Sequence, residues 1–258
     1  MIRRVLLTFV TLAVWASPAW SQGLFWVTET TAGSKAPQKA EFYAAPKRMK
    51  IVSPDGPTMI LRSDDDKLIS VNPKDKTYWE MPFSQLEEMS KRMQTEADLA
   101  MAQVKDKLKD LPPEQRIMVE KALGRAKGAD KAEPLPVDVK NTGETKKIGG
   151  YACVKYVASE GGSPILVAWT TKDVPGFDAL REDWLALQKR MNETNRAFRS
   201  GMAEAYAKID GFPMETEIGQ VKTVVTKVEP RNIPADEFDP PAGFKKQPPP
   251  VPNVGQKP

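Results

Sequence analysis

The chain has 258 residues, 40% of them hydrophobic and 28% charged, with a formal charge of +4, 23 prolines, one cysteine and no histidine. The absence of histidine excludes Ser-His-Asp and Cys-His catalysis, zinc held by imidazoles and histidine-ligated haem, and a single cysteine excludes an intrachain disulfide. The apolar fraction is enough for a real core, which separates the chain from wholly disordered sequences.

Residues 1–21 read as a signal peptide. Arg3 and Arg4 precede an apolar run over 5–16, and Ser17-Pro18-Ala19-Trp20-Ser21 places small residues at cleavage spacing. A spanning helix needs about 20 apolar residues, more than this run offers, so the expectation is export without a transmembrane segment, to the periplasm or, as the alternative, secretion. Losing Arg3 and Arg4 lowers the formal charge from +4 to +2. The remaining charges are interspersed, which argues against nucleic acid as a partner.

From Leu24 to Met81 short runs alternate apolar and polar residues, the period of antiparallel strands. Ser53-Pro54-Asp55-Gly56, Asp64-Asp65-Asp66 and Asn72-Pro73-Lys74-Asp75 supply turn chemistry about every ten residues, so a meander is expected. At Ser84 the period becomes helical. Leu86, Met89, Met93, Ala97, Ala100, Met101, Val104 and Leu108 form one stripe, and Ser84 with Glu87 makes a capping box. Pro112 and Pro113 break that helix, and a second runs through Ile117, Met118 and Leu123 to Gly124, giving a helical insertion over about 84–127.

Residues 124–136 lose periodicity and read as a mobile linker. Strands then resume over 137–139, 146–148, 151–158 and 165–171, turned by Thr142-Gly143 and by Glu160-Gly161-Gly162-Ser163. A further helix is expected from about Ala179 to Asp210, with Leu180, Trp184, Leu187, Met191, Phe198, Met202, Tyr206 and Ile209 as its stripe and Gly211-Phe212-Pro213 as its stop. A last strand over 221–228 precedes a proline-rich tail, 240–258, which reads as disordered, with a ligand for a proline-binding partner as the alternative.

Each helix stripe needs a surface to cover, and only the strands provide one. The runs Leu24-Phe25-Trp26-Val27 and Ile165-Leu166-Val167-Ala168-Trp169 are apolar on both faces, as expected at a sheet centre or beside a cavity. The fold class is therefore α+β over 22–239: a curved antiparallel sheet packed against long amphipathic helices.

Among candidate sites, Asp64-Asp65-Asp66 lacks the ligand and glycine spacing of a calcium loop and reads as a solvated hairpin tip. Cys153 has no CxxC partner or histidine to activate it and reads as a buried thiol. The methionines of both helices are flexible core filler that could also accept apolar ligands; copper held by thioethers alone is disfavoured, and neither cofactor nor metal is expected. GxSxG, SxxK, GxGxxG and P-loop signatures are absent, so the protein is not expected to be an enzyme. Trp26, Trp79, Met89, Met93, Trp169, Met191 and Phe198 are the candidate lining of an apolar site of a few hundred cubic ångströms.

Tyr78-Trp79-Glu80-Met81, Leu111-Pro112-Pro113-Glu114-Gln115-Arg116, the stretch from Thr142 through Gly149-Gly150-Tyr151-Ala152-Cys153, Trp169, Gly211-Phe212-Pro213 and Pro241-Ala242-Gly243-Phe244 resemble an exported bacterial family catalogued as domain of unknown function 4412. The resemblance runs from about Phe42 to Phe244. It extends more distantly to periplasmic lipoprotein carriers, and implies an unclosed antiparallel barrel with helices on its concave side and an acyl chain held between. The expected function is a periplasmic binding protein for a lipid, acyl chain or other apolar ligand; the alternative is a non-enzymatic envelope interaction or sensor module with a filled core and a protein partner.

Overall fold

A computed structural model describes residues 22–108, 135–194 and 201–250. The expected signal peptide, the helix expected up to Gly124, most of the expected linker, Phe198 and the last eight residues lie outside these. The first meander comprises β1 (Gln22–Ala32), β2 (Gln38–Ala45), β3 (Arg48–Val52), β4 (Thr58–Arg62), β5 (Lys67–Asn72) and β6 (Thr77–Pro82). Helix α1 (Phe83–Leu108) comes next. A second meander holds β7 (Val137–Ile148), β8 (Tyr151–Glu160) and β9 (Ser163–Thr171), then come α2 (Phe177–Thr194), α3 (Met202–Lys208), β10 (Phe212–Ile218), β11 (Val221–Asn232) and a short β12 (Lys245–Lys246).

These strands form one curved, unclosed sheet in the order β12-β6-β5-β4-β3-β2-β1-β11-β10-β9-β8-β7. All neighbours are antiparallel except β12 with β6. The α+β class is as expected. Register aligns the apolar alternation into rows: Leu24, Ala44, Met49, Leu61, Leu68 and Met81 stand side by side on one face. That face meets Phe177, Leu180 and Leu187 of α2, all under 7% exposed, each burial contributing roughly 1.5–3 kcal/mol. Farther along, α3 sets Met202 and Ala205 against Val137, Ala158, Leu166 and Ala168.

Several local expectations change. Thr142-Gly143 is not a hairpin turn but a bulge inside a continuous β7, where the register with β8 shifts between Asn141 and Thr145. The turn is Gly149-Gly150, whose φ values of +55° and +89° suit the two-residue hairpin that matches strand twist. Of the single helix expected over 179–210 the structure describes two stretches, α2 to Thr194 and α3 from Met202, whose N-cap Gly201 leaves helical geometry with ψ at +21°. Phe212-Pro213, expected only to close off a helix, opens a whole strand, β10. Pro213 is tolerated because the register with β9 slips between Pro213 and Glu215, where a missing N–H costs little.

The expected capping box does not form. Ser84 Oγ donates to Asp66 Oδ2 at 3.0 Å, and Glu87 faces Arg190 Nε at 3.5 Å. Asp66 also pairs with Arg190, and its carbonyl accepts from the Phe83 amide, so this hairpin tip ties α1 to α2. Its neighbours are equally engaged, Asp64 with Arg48 and Asp65 with Arg62. The triple aspartate is therefore an ion-paired tip, not a freely solvated one. The α1 stripe leaves the sheet: Phe83 is fully buried, but Met93 is 51% exposed, because α2 already occupies the concave face.

The tail also departs from expectation. On the outer face, Ile60, Ile69 and Val71 are covered by Ile233, Phe238 and Phe244. Beyond them the Lys245 amide donates to the Lys76 carbonyl at 2.9 Å and the Gln247 amide to the Tyr78 carbonyl at 2.7 Å. Within the stretch expected to be disordered, Phe244 and the Lys245 and Gln247 amides continue the contacts that Ile233 and Phe238 begin, so residues 233–247 dock as a strap.

Candidate functional site

Between α2 and the sheet lies a cavity of about 140 Å³. Strands β1 and β2 supply Leu24, Trp26, Thr28, Phe42 and Ala44, and β10 and β11 supply Phe212, Thr216, Thr223 and Val225. Its roof is Phe177, Leu180, Trp184 and Gln188 of α2 with Tyr206 of α3. Strand pairing brings the wall together: Trp26 lies opposite Phe42 across β1 and β2, their rings stacked 4.9 Å apart at 7°. Trp26 meets Phe212 edge-on at 5.7 Å, Phe212 meets Phe177 at 5.1 Å, Phe177 meets Trp184 at 6.1 Å and Trp184 meets Tyr206 at 5.3 Å. Each such contact contributes about 0.5–1.5 kcal/mol beyond burial, so this chain of rings makes a stiff wall.

The two helices are locked beside the cavity. Arg181 of α2 donates to the carbonyls of Ala207 and Ile209 at 3.2 and 2.9 Å, where the last carbonyls of α3 carry unsatisfied negative charge. Thr170 Oγ1 donates to the Asp210 carbonyl at 2.6 Å just beyond. No lining residue carries a formal charge. Burial pushes the Tyr206 phenol above its ordinary value, only partly opposed by its hydrogen bond with Thr216, so it stays protonated. Among the described residues no group of three or more acids, cysteines or histidines is placed to hold a metal.

Of the candidate lining residues among those described, Trp26 alone lines this cavity. Met191 packs half-buried against the same core from α2. Met89 is half-buried on α1, and Met93 is exposed. Trp169 neighbours Glu215 and Lys155 across its strand partners and lies beneath the Lys146 and Lys155 ammoniums, 4.2 and 5.7 Å from its ring centre, on the face opposite Ala168. Trp79 borders a separate cleft of about 450 Å³ between the turns at 55–57 and 72–75. That cleft is wider but less suited to recognition, because Asn72 commits its amide to the Lys74 and Asp75 backbone and the Asp75 carboxylate. Cys153 is fully buried, and burial pushes its thiol up. Phe42, Phe177, Trp184 and Phe212 were the residues to find; the i, i+4 pair Leu180 and Trp184 was legible as a stripe, but which strand residues faced it was not.

The family model described as a Domain of unknown function (DUF4412) matches residues 87–244. The chain belongs to this family. The DUF4412 span starts at Glu87, later than the Phe42 expected, so Trp26 and Phe42 lie outside it while Phe177, Trp184 and Phe212 lie within. No curated protein matches the chain. Among solved structures, PNGF-II is 12% identical over 88% of this chain and 31% of that one, with a TM-score of 0.36. The MucA/MucB complex of Pseudomonas aeruginosa is 8% identical over 88% of this chain and 58% of that one, TM-score 0.40. A LolA superfamily protein from Nitrosomonas europaea is 7% identical over 86% and 90%, TM-score 0.27. These similarities are weak, and the chain spans less than two thirds of the first two.

Proposed function

We propose that this DUF4412 protein is a non-enzymatic binding protein of the cell envelope, holding a small apolar group in the cavity between α2 and the sheet. The observation that carries this is the aromatic-walled cavity itself. At about 140 Å³ it falls below the few hundred cubic ångströms of a whole-lipid site. It is comparable to engineered apolar cavities of about 150 Å³ that bind benzene or xenon. The occupant is therefore one ring or one end of an acyl chain. An exported location is supported by the leader-like residues 1–21, and a non-catalytic role by the lack of charged lining groups. No described helix is long and apolar enough to cross a membrane.

The test is native mass spectrometry of protein taken from a periplasmic extract, followed by organic extraction and NMR titration with toluene. A co-purifying apolar species, or toluene shifting the Trp26 and Trp184 indole signals, supports the reading, and Ala44→Leu, which extends a side chain into the space, should abolish the shift. An empty protein that takes up no toluene overturns it. That result would favour the second reading, an interaction module, which the exposure of Met93, Leu99 and Val104 on α1 supports.

A further inference from the structure

We infer that the cavity selects an uncharged amphiphile, apolar end innermost, whose hydroxyl, carbonyl or amide stays at a threonine-lined mouth; this rests on the binding function proposed above. The argument is the order of residues along each wall. Every second residue of a strand shares a face, so Leu24, Trp26, Thr28 and Thr30 of β1 point the same way. Leu24 is 1% exposed and Thr30 half-buried, so the wall passes from apolar and sealed to polar and open along one strand. Strand β11 repeats the order with buried Val225 and half-buried Thr223, and β10 with buried Phe212 and half-buried Thr216. Three neighbouring strands agree on which end is the mouth.

The polar groups at that end are joined. Thr30, Thr223 and Thr216 lie side by side across β1, β11 and β10, the first two with their hydroxyl oxygens 3.0 Å apart, and Thr216, Thr223 and Tyr206 line the same cavity. A hydroxyl can donate or accept, so this row suits an alcohol, a carbonyl or an amide alike. It does not suit a carboxylate or phosphate, which would give up hydration with no cation to replace it. Lys222, beside Thr223 in the chain, points to the opposite face, where Glu215 and Glu217 engage it at 2.8 and 3.3 Å.

Three probes of one size decide the matter: toluene, benzyl alcohol and benzoate at pH 8, titrated by NMR into the wild-type protein and into Thr216→Val and Thr223→Val. Benzyl alcohol should bind at least as tightly as toluene, although water holds it more strongly, and benzoate at least about tenfold more weakly than either. Each valine variant should lower the ratio of benzyl alcohol affinity to toluene affinity by about three- to tenfold. Toluene binding with benzoate equal to benzyl alcohol, or with an alcohol affinity well below that of toluene in the wild type, overturns the selectivity alone. Failure of all three probes overturns the binding function with it.

Discussion

Phe238→Ala tests whether the C-terminal strap is part of the fold. Phe238 is fully buried on the outer face of the sheet, against Ile60, Ile69, Val71 and Ile233. Removing a buried phenylalanine ring costs about 3–5 kcal/mol, the upper end where neighbours cannot collapse into the space, as on a β-sheet surface. At about 2–4 °C per kcal/mol for a chain of this size, the melting temperature should fall by roughly 6–20 °C. The flanking ion pairs, Lys50 with Glu237 at 2.7 Å and Arg62 with Asp239 at 2.5 Å, are partly solvated and contribute about 0–1 kcal/mol each. Urea unfolding followed by circular dichroism should therefore rank Phe238→Ala far above Glu237→Gln and Asp239→Asn. A Phe238→Ala loss below about 1 kcal/mol, or a charge variant costing more than the ring, would refute the claim that apolar burial docks the strap.

Two glycines with positive φ make a matched pair. An added Cβ at Gly211 (φ +85°) would lie 2.7 Å from the Thr171 carbonyl oxygen, whereas at Gly219 (φ +58°) it would meet nothing within 4 Å. Gly219→Ala should cost about 1 kcal/mol by thermal denaturation and Gly211→Ala clearly more; equal costs would show that backbone conformation alone matters. Acid stability depends on Glu215. Burial alone would raise its carboxyl, but Lys146 and Lys222 outweigh burial and hold it below the ordinary 4.5. The folded state thus binds this proton less readily than the unfolded chain, and the stabilisation, present above about pH 4.5, is lost as pH falls through the lowered value. The urea midpoint should drop between pH 5 and pH 3, and Glu215→Gln should flatten that drop; an unchanged slope would show that this carboxylate contributes nothing.

The first meander was legible because proline, aspartate and asparagine turns punctuate it at strand spacing, and the stripe of α2 because leucine and tryptophan recur at helical spacing. What escaped was set by long-range pairing. Gly143 can serve a turn or a bulge, and only the pairing of β7 with β8 decides between them. Phe212 sat behind a glycine that also ends helices, and its place in the cavity depends on a register slip at Pro213. Trp26 borders the cavity and Trp169 does not, yet both lie in strands apolar on two faces, and local pattern does not say which face the helices cover. The tail misled through composition, its prolines outweighing Phe244, whereas Phe238 lies just before the stretch expected to be disordered.

The pairing of β1 with β11 has a consequence for the order of folding. β1 acquires its β2 neighbour at once, but its other edge waits for residues about 190 positions later, as the bond between Thr30 and Thr223 illustrates. The two meanders can zip up from local turns, while the seam joining them, and with it the aromatic wall that Trp26 shares with Phe212, closes only when nearly all of the chain is available. Such distant contacts form slowly, and until they form a strand containing Leu24, Phe25 and Trp26 presents an open edge to any other unfinished chain. Assembly of this cavity is thus a late event on the folding path, and the stretch most exposed to aggregation beforehand is the one that later lies at the centre of the sheet.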